Sequence, residues 1–154
     1  MSLVTAYNND PFVGHLSTPV SDSAFTRALI GNLPAYRKGL SPLRRGLEVG
    51  MAHGYFLLGP WIVLGPLRNT SMAAMAGLAS TIGLIMIATL CLVAYGMVMF
   101  QRDESGKSNE LQSAQGWSKY SGGFFIGATG SAFFAYLLLT NLPIMQGMMQ
   151  GGLS

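Results

Sequence analysis

The chain has 154 residues, the length of one domain; half of them are hydrophobic and only 10% are charged. A soluble domain carries about a quarter charged residues, so this composition points to lipid as the solvent. The net charge of +3 is modest and gathered into no basic tract, which excludes a nucleic-acid partner, and the single cysteine, Cys91, excludes an internal disulfide.

Residues 1–41 read as a cytoplasmic N-terminal segment containing short helices, lying on the membrane surface or against partner proteins. The start, MSLVTAYNNDPFVG, has neither a basic run nor a continuous apolar core. The expectation is therefore a bacterial or organelle-encoded chain that enters the membrane through its own spans. Asp10-Pro11 and Thr18-Pro19 are turn or extended elements. Ser21 to Ile30 predicts a short helix stopped by Gly31 and Pro34, with Tyr7, Phe12, Phe25 and Tyr36 as side chains to bury.

Three apolar stretches follow, at about 42–66, 72–100 and 121–143, each long enough to cross a hydrocarbon core of about 30 Å. Ser41 before Pro42 is an N-cap and first-turn pairing. Arg44 and Arg45 in that first turn oppose the helix dipole, so topology explains them better than helix stability does. Pro60 lies inside the first span, where it removes one hydrogen bond and predicts a kink. The second span has no charge and is longer than a bilayer core, so it should tilt or project. Cys91, in its apolar run, is read as filling space.

Arg27, Arg37, Lys38, Arg44 and Arg45 lie before the apolar run of the first span, which starts at about Gly46, and Arg102, Lys107 and Lys119 lie between the second and third. The loop between the first two holds only Arg68, and the tail at 144–154 has no basic residue. This asymmetry places the N-terminus in the cytoplasm and the C-terminus on the opposite side. The stretch Gln101 to Gly116 is polar and reads as a mobile loop. The fold class is an all-α membrane protein of three transmembrane helices, organised as a single domain over 1–154.

The first span carries the chemistry. Ionisable groups inside a bilayer are costly and mark sites, and here there are two, Glu48 and His53. For Glu48, pairing with Arg44 or Arg45 one turn earlier stands beside a ligand role. For His53, a hydrogen bond to a neighbouring group stands beside metal ligation through a neutral imidazole. The two lie five residues apart, about 140° around a helix, so they should not share one metal. Two separate tetrapyrroles fit that geometry better, and a bis-histidine haem would need His15 from the N-terminal segment.

Gly46, Gly50 and Gly54 leave a bare stripe that either a flat ligand or another backbone can approach. Packing is the favoured reading, as for Ala73, Gly77 and Thr81 and for Gly123 and Gly127. The ten methionines, with Met145, Met148 and Met149 in the tail, are gap-filling or interface residues rather than a copper site. No nucleophile-base pair or phosphate loop appears, so the chain is not read as an enzyme. A haem or quinone subunit of a respiratory complex, and a transporter subunit with a Glu48/His53 proton relay, remain open on the residues alone.

The runs NNDPFVGHLSTPVSDS (Asn8 to Ser23) and IGNLPAYRKGLSPLRRGLEVGMAHGYFLLGPW (Ile30 to Trp61) closely resemble PsaL, subunit XI of photosystem I, of cyanobacterial type. GPLRN (Gly65 to Asn69), CLVAYG (Cys91 to Gly96), QGW (Gln115 to Trp117) and GGFFIGATGSAF (Gly122 to Phe133) extend the likeness over nearly the whole chain. The resemblance implies a multi-pass thylakoid subunit with its tail in the lumen, binding chlorophyll a and beta-carotene, with lipid as a further ligand. It implies Glu48 and His53 as axial ligands to the magnesium of two chlorophylls. It also implies other photosystem I subunits, membrane lipid and copies of the chain itself as partners, in an oligomer of the complex. Some trimeric members carry an aspartate directly after the PLR motif, associated with lumenal calcium; here Asn69 stands there. An amide oxygen lacks the charge that dominates calcium sites. Pro66 and Asn69 therefore stand only as a candidate calcium or oligomer contact, and a trimer does not follow.

Overall fold

A computed structural model describes residues 5–7, 10–15, 23–100 and 110–142, with side chains from residue 23 onward. The chain divides into two compact units, Met1–Gly39 and Leu40–Ser154. The methionine cluster of the tail and the basic residues at 102 and 107 lie outside the described residues.

In the first unit, β1 (Thr5–Tyr7) pairs antiparallel with β2 (Asp10–His15), with Thr5 opposite His15. Asp10-Pro11 thus opens a strand, one of its two expected conformations. Helix α1 (Ala24–Asn32) starts at Ser23, whose Oγ accepts from the Thr26 N–H at 3.1 Å. It runs through Gly31, which was expected to stop it, and ends where the Leu33 N–H reaches the Ile30 carbonyl at 3.1 Å. Pro34 supplies the reason, since the residue before a proline is pushed out of helical geometry.

The second unit is a bundle of α2 (Pro42–Leu64), α3 (Ala73–Met99) and α4 (Ala114–Asn141), all three long and apolar enough to cross a membrane. The Ser41 cap forms as predicted, with its Oγ accepting from the Arg44 N–H at 3.4 Å. Helix α2 continues through Pro60 to the Gly65 cap, just before Pro66. Helix α4 begins seven residues earlier than the apolar run suggested, capped by Ser113, whose Oγ accepts from the Gly116 N–H at 3.0 Å. Hydropathy marks where the hydrocarbon begins, whereas the cap marks where the helix begins. Of the stretch expected to be a mobile loop, Glu110–Gln112 form a 3₁₀ turn leading into α4, and residues 101–109 lie outside the described residues.

At about 1.5 Å per residue, the 27 and 28 residues of α3 and α4 span roughly 40 Å, more than a bilayer core. The polar first turns of α4 account for its excess. Helices α2 and α4 pack in parallel, and α3 runs antiparallel against both. Leu58, Ile62, Leu78, Ile85, Phe124, Ala128, Ala132 and Ala135 form the core. Thr81 and Ser121, the polar residues buried in the bundle among those described, bond within their own helices, Thr81 to the Gly77 carbonyl at 2.8 Å and Ser121 to the Trp117 carbonyl at 2.7 Å. With no water in the hydrocarbon, such i−4 bonds are the cheapest partners available.

Candidate functional site

The glycine stripe of α2 is occupied by backbone. A Cβ at Gly46, Gly50 or Gly54 would collide with the carbonyl oxygen of Tyr120, Phe124 or Ala128, one turn of α4 after another. The contact is reciprocal, because Gly123 and Gly127 of α4 receive the Leu43 and Leu47 carbonyls of α2. Of the two readings of the stripe, helix packing is the one realised. No room is left in it for a flat ligand.

His53 sits at the edge of this contact, about 60° around α2 from Gly50. Its Nδ1 lies 2.8 Å from the Val49 carbonyl oxygen. A carbonyl can only accept, so Nδ1 carries the proton and Nε2 is left with its lone pair. The Phe124 ring meets the imidazole edge-on, with centroids 5.6 Å apart. The hydrogen bond and the ring contact together fix both tautomer and orientation, which a metal-ligating histidine requires.

His53 opens onto a groove of about 630 Å³. Val49 and His53 of α2 form one wall; Ala88, Cys91, Leu92 and Tyr95 of α3 form another. Trp117, Tyr120 and Phe124 of α4 close it. Its size falls within the range of about 300–1,000 Å³ typical of small-molecule sites, and its lining is apolar with few polar groups. Cys91 does not fill space in a core as expected; it is exposed on the groove wall.

Glu48 is not in this groove. It lies about 200° around α2 from Gly46, half-buried on the face turned away from the α4 contact. The structure therefore does not bring Glu48 and His53 together. No group of three or more metal-ligating side chains occurs among the described residues. A ligand at either position would be held by one protein atom, which suits a macrocycle that fills the metal's other positions itself.

Pro66 and Asn69 are exposed in the turn between α2 and α3. Arg68 Nη1 donates to the Gly65 carbonyl at 3.3 Å and Thr70 Oγ1 to the Leu67 carbonyl at 2.8 Å. Two carbonyls of the turn are thus engaged, and its only charged side chain is a cation.

Sequence reading gave no role to Tyr95, Trp117 or Tyr120. Trp117, Tyr120 and Phe124 fall at i, i+3 and i+7, one face of a helix, and that aromatic stripe was the signal available. Trp117 packs its Cβ against Gly96 and meets Tyr95 edge-on at 4.7 Å between centroids, tying α3 to α4 at this end.

A family model described as photosystem I reaction centre subunit XI matches residues 3–144. The chain is 61% identical over 151 residues to photosystem I reaction center subunit XI of Cyanothece sp., covering 98% of this chain and 94% of that protein. It is 60% identical over 149 residues to the subunit XI of Synechocystis sp., covering 97% and 94%. It is 59% identical over 143 residues to the subunit XI of Porphyra purpurea, covering 93% and 92%.

Proposed function

The chain belongs to the photosystem I reaction centre subunit XI family, and from that premise we propose that it holds antenna chlorophyll a at His53 and Glu48 and helps join photosystem I complexes to one another. It is a structural subunit of a photosynthetic complex and not an enzyme. The observation that carries the chlorophyll reading is the hydrogen bond from His53 Nδ1 to the Val49 carbonyl, 2.8 Å long, beside an apolar groove. It leaves Nε2 with a lone pair that would hold a chlorophyll magnesium.

Chlorophyll supplies light absorption and excitation transfer; the protein fixes its position, orientation and local polarity. Glu48, on a different face of α2, serves a second and separate pigment through a carboxylate oxygen. A proton relay between the two would need both on one path, and their opposite placement speaks against it. Along the other side of α2 and α4, Leu47, Met51, Ile126 and Phe134 line a smaller apolar groove of about 280 Å³, a wall suited to beta-carotene or a lipid chain.

The outward faces are strongly apolar: Phe56, Leu64, Leu90 and Val98 are each more than 60% exposed in the isolated chain. These surfaces suit the thylakoid lipid, other photosystem I subunits and further copies of the chain. The basic residues put the N-terminal segment on the cytoplasmic side and the tail at 144–154 in the lumen. Calcium is left out of the reading, because the turn at Pro66 and Asn69 offers a cation and no carboxylate. The direct test is pigment stoichiometry of photosystem I carrying His53→Leu. One chlorophyll lost per copy, with the subunit still assembled, is expected; an unchanged count overturns the assignment.

A further inference from the structure

We propose that Tyr120 is a positioning residue of the His53 site, its hydroxyl donating a hydrogen bond to a ring carbonyl of the tetrapyrrole held there. This rests on the reading of His53 as a magnesium ligand. Tyr120 and His53 line the same groove, one from α4 and one from α2. The Tyr120 backbone carbonyl abuts Gly46, and its ring stands 5.3 Å from that of Trp117 at 60°. The first contact anchors the backbone that carries the phenol, and the second packs its ring.

That hydroxyl makes no hydrogen bond to the described residues. The charged group acting on it is Arg45, and a guanidinium has donors only, so it cannot take the phenol proton. A half-buried phenol in an apolar groove is stabilised by finding an acceptor. The Trp117 indole nitrogen is also without a partner, but it is sealed from the surface and cannot meet a ligand in the groove. Tyr95, the other phenol of the wall, is 45% exposed and less fixed.

Gly46 is level with Tyr120, and His53 lies seven residues further along α2, about 10 Å at 1.5 Å per residue. The group that Tyr120 meets therefore belongs to the ligand's periphery and not to its metal centre. A hydrogen bond there would fix the rotation of the macrocycle about its axial bond, which a single ligand atom cannot do.

The test uses intact photosystem I carrying Tyr120→Phe, Tyr95→Phe, His53→Leu, or His53→Leu with Tyr120→Phe. Resonance Raman spectra in the carbonyl region and pigment counts are recorded for each. Tyr120→Phe is expected to keep every chlorophyll and to move one carbonyl stretch to higher wavenumber. In the double variant that shift should be absent, because its pigment is gone. A Tyr120→Phe spectrum identical to the unaltered complex overturns the proposal, as does a shift that only Tyr95→Phe produces or one that persists in the double variant. Full chlorophyll content in His53→Leu overturns the ligand reading itself, a result distinguishable from the others.

Discussion

At His53 the backbone of its own helix does the selecting. The Val49 carbonyl lies one turn earlier, and as an i−4 acceptor it takes the Nδ1 proton at 2.8 Å. Any α-helical histidine can reach that acceptor; what is particular here is the open groove that the ring lines. Glu48 lies on a different face of α2, so the two positions should act independently. Glu48→Leu is expected to remove one chlorophyll, and Glu48→Leu with His53→Leu to remove two, measured as pigment per complex. Loss of the same single chlorophyll in both single variants would mean one shared site. Both residues were legible as candidates because ionisable groups within a span stand out. The groove was not, since Tyr95 and Tyr120 come from other helices.

At the scale of the helices, the glycine stripe decides how close α2 and α4 come. Each missing side chain on one helix receives a carbonyl oxygen from the other, and van der Waals contact between backbones replaces the hydrophobic drive that lipid abolishes. Gly50→Val places atoms where the Phe124 carbonyl already lies, and overpacking of this kind costs on the order of 1–3 kcal/mol. It should weaken retention of the subunit during detergent extraction of the complex, measured by immunoblot of the purified particle. Gly83→Ala on α3, where a Cβ would meet nothing within 4 Å, should leave retention unchanged. The stripe and its reading as a packing surface were plain in the sequence; that α4 is the helix filling it was not. The start of α4 at Ala114 was missed for a related reason, because polar helical turns outside the membrane leave no mark on hydropathy.

For the whole molecule, the proposed orientation rests on where the basic residues lie relative to the spans. In a Cys91→Ala background, a cysteine at Ser23 should react with an impermeant thiol reagent from the cytoplasmic face of thylakoid vesicles. One at Thr70 should react only from the lumenal face. The reverse pattern would invert the topology and move the His53 groove toward the opposite surface. The outward faces of the bundle remain apolar beyond what its own core needs, and this surplus is what a subunit embedded among lipid and other subunits presents.

The sequence by itself determined the class of molecule, the count of three spans and the two ionisable positions within the first. These depend on composition and on spacing along one helix, which need no knowledge of neighbours. Tertiary structure alone decided that the glycines are filled by carbonyl oxygens, that α2 and α4 run side by side in parallel, and that His53 shares a groove with phenols from distant turns. Those facts depend on which helix faces which, and in lipid many apolar faces are interchangeable until backbone fit chooses among them.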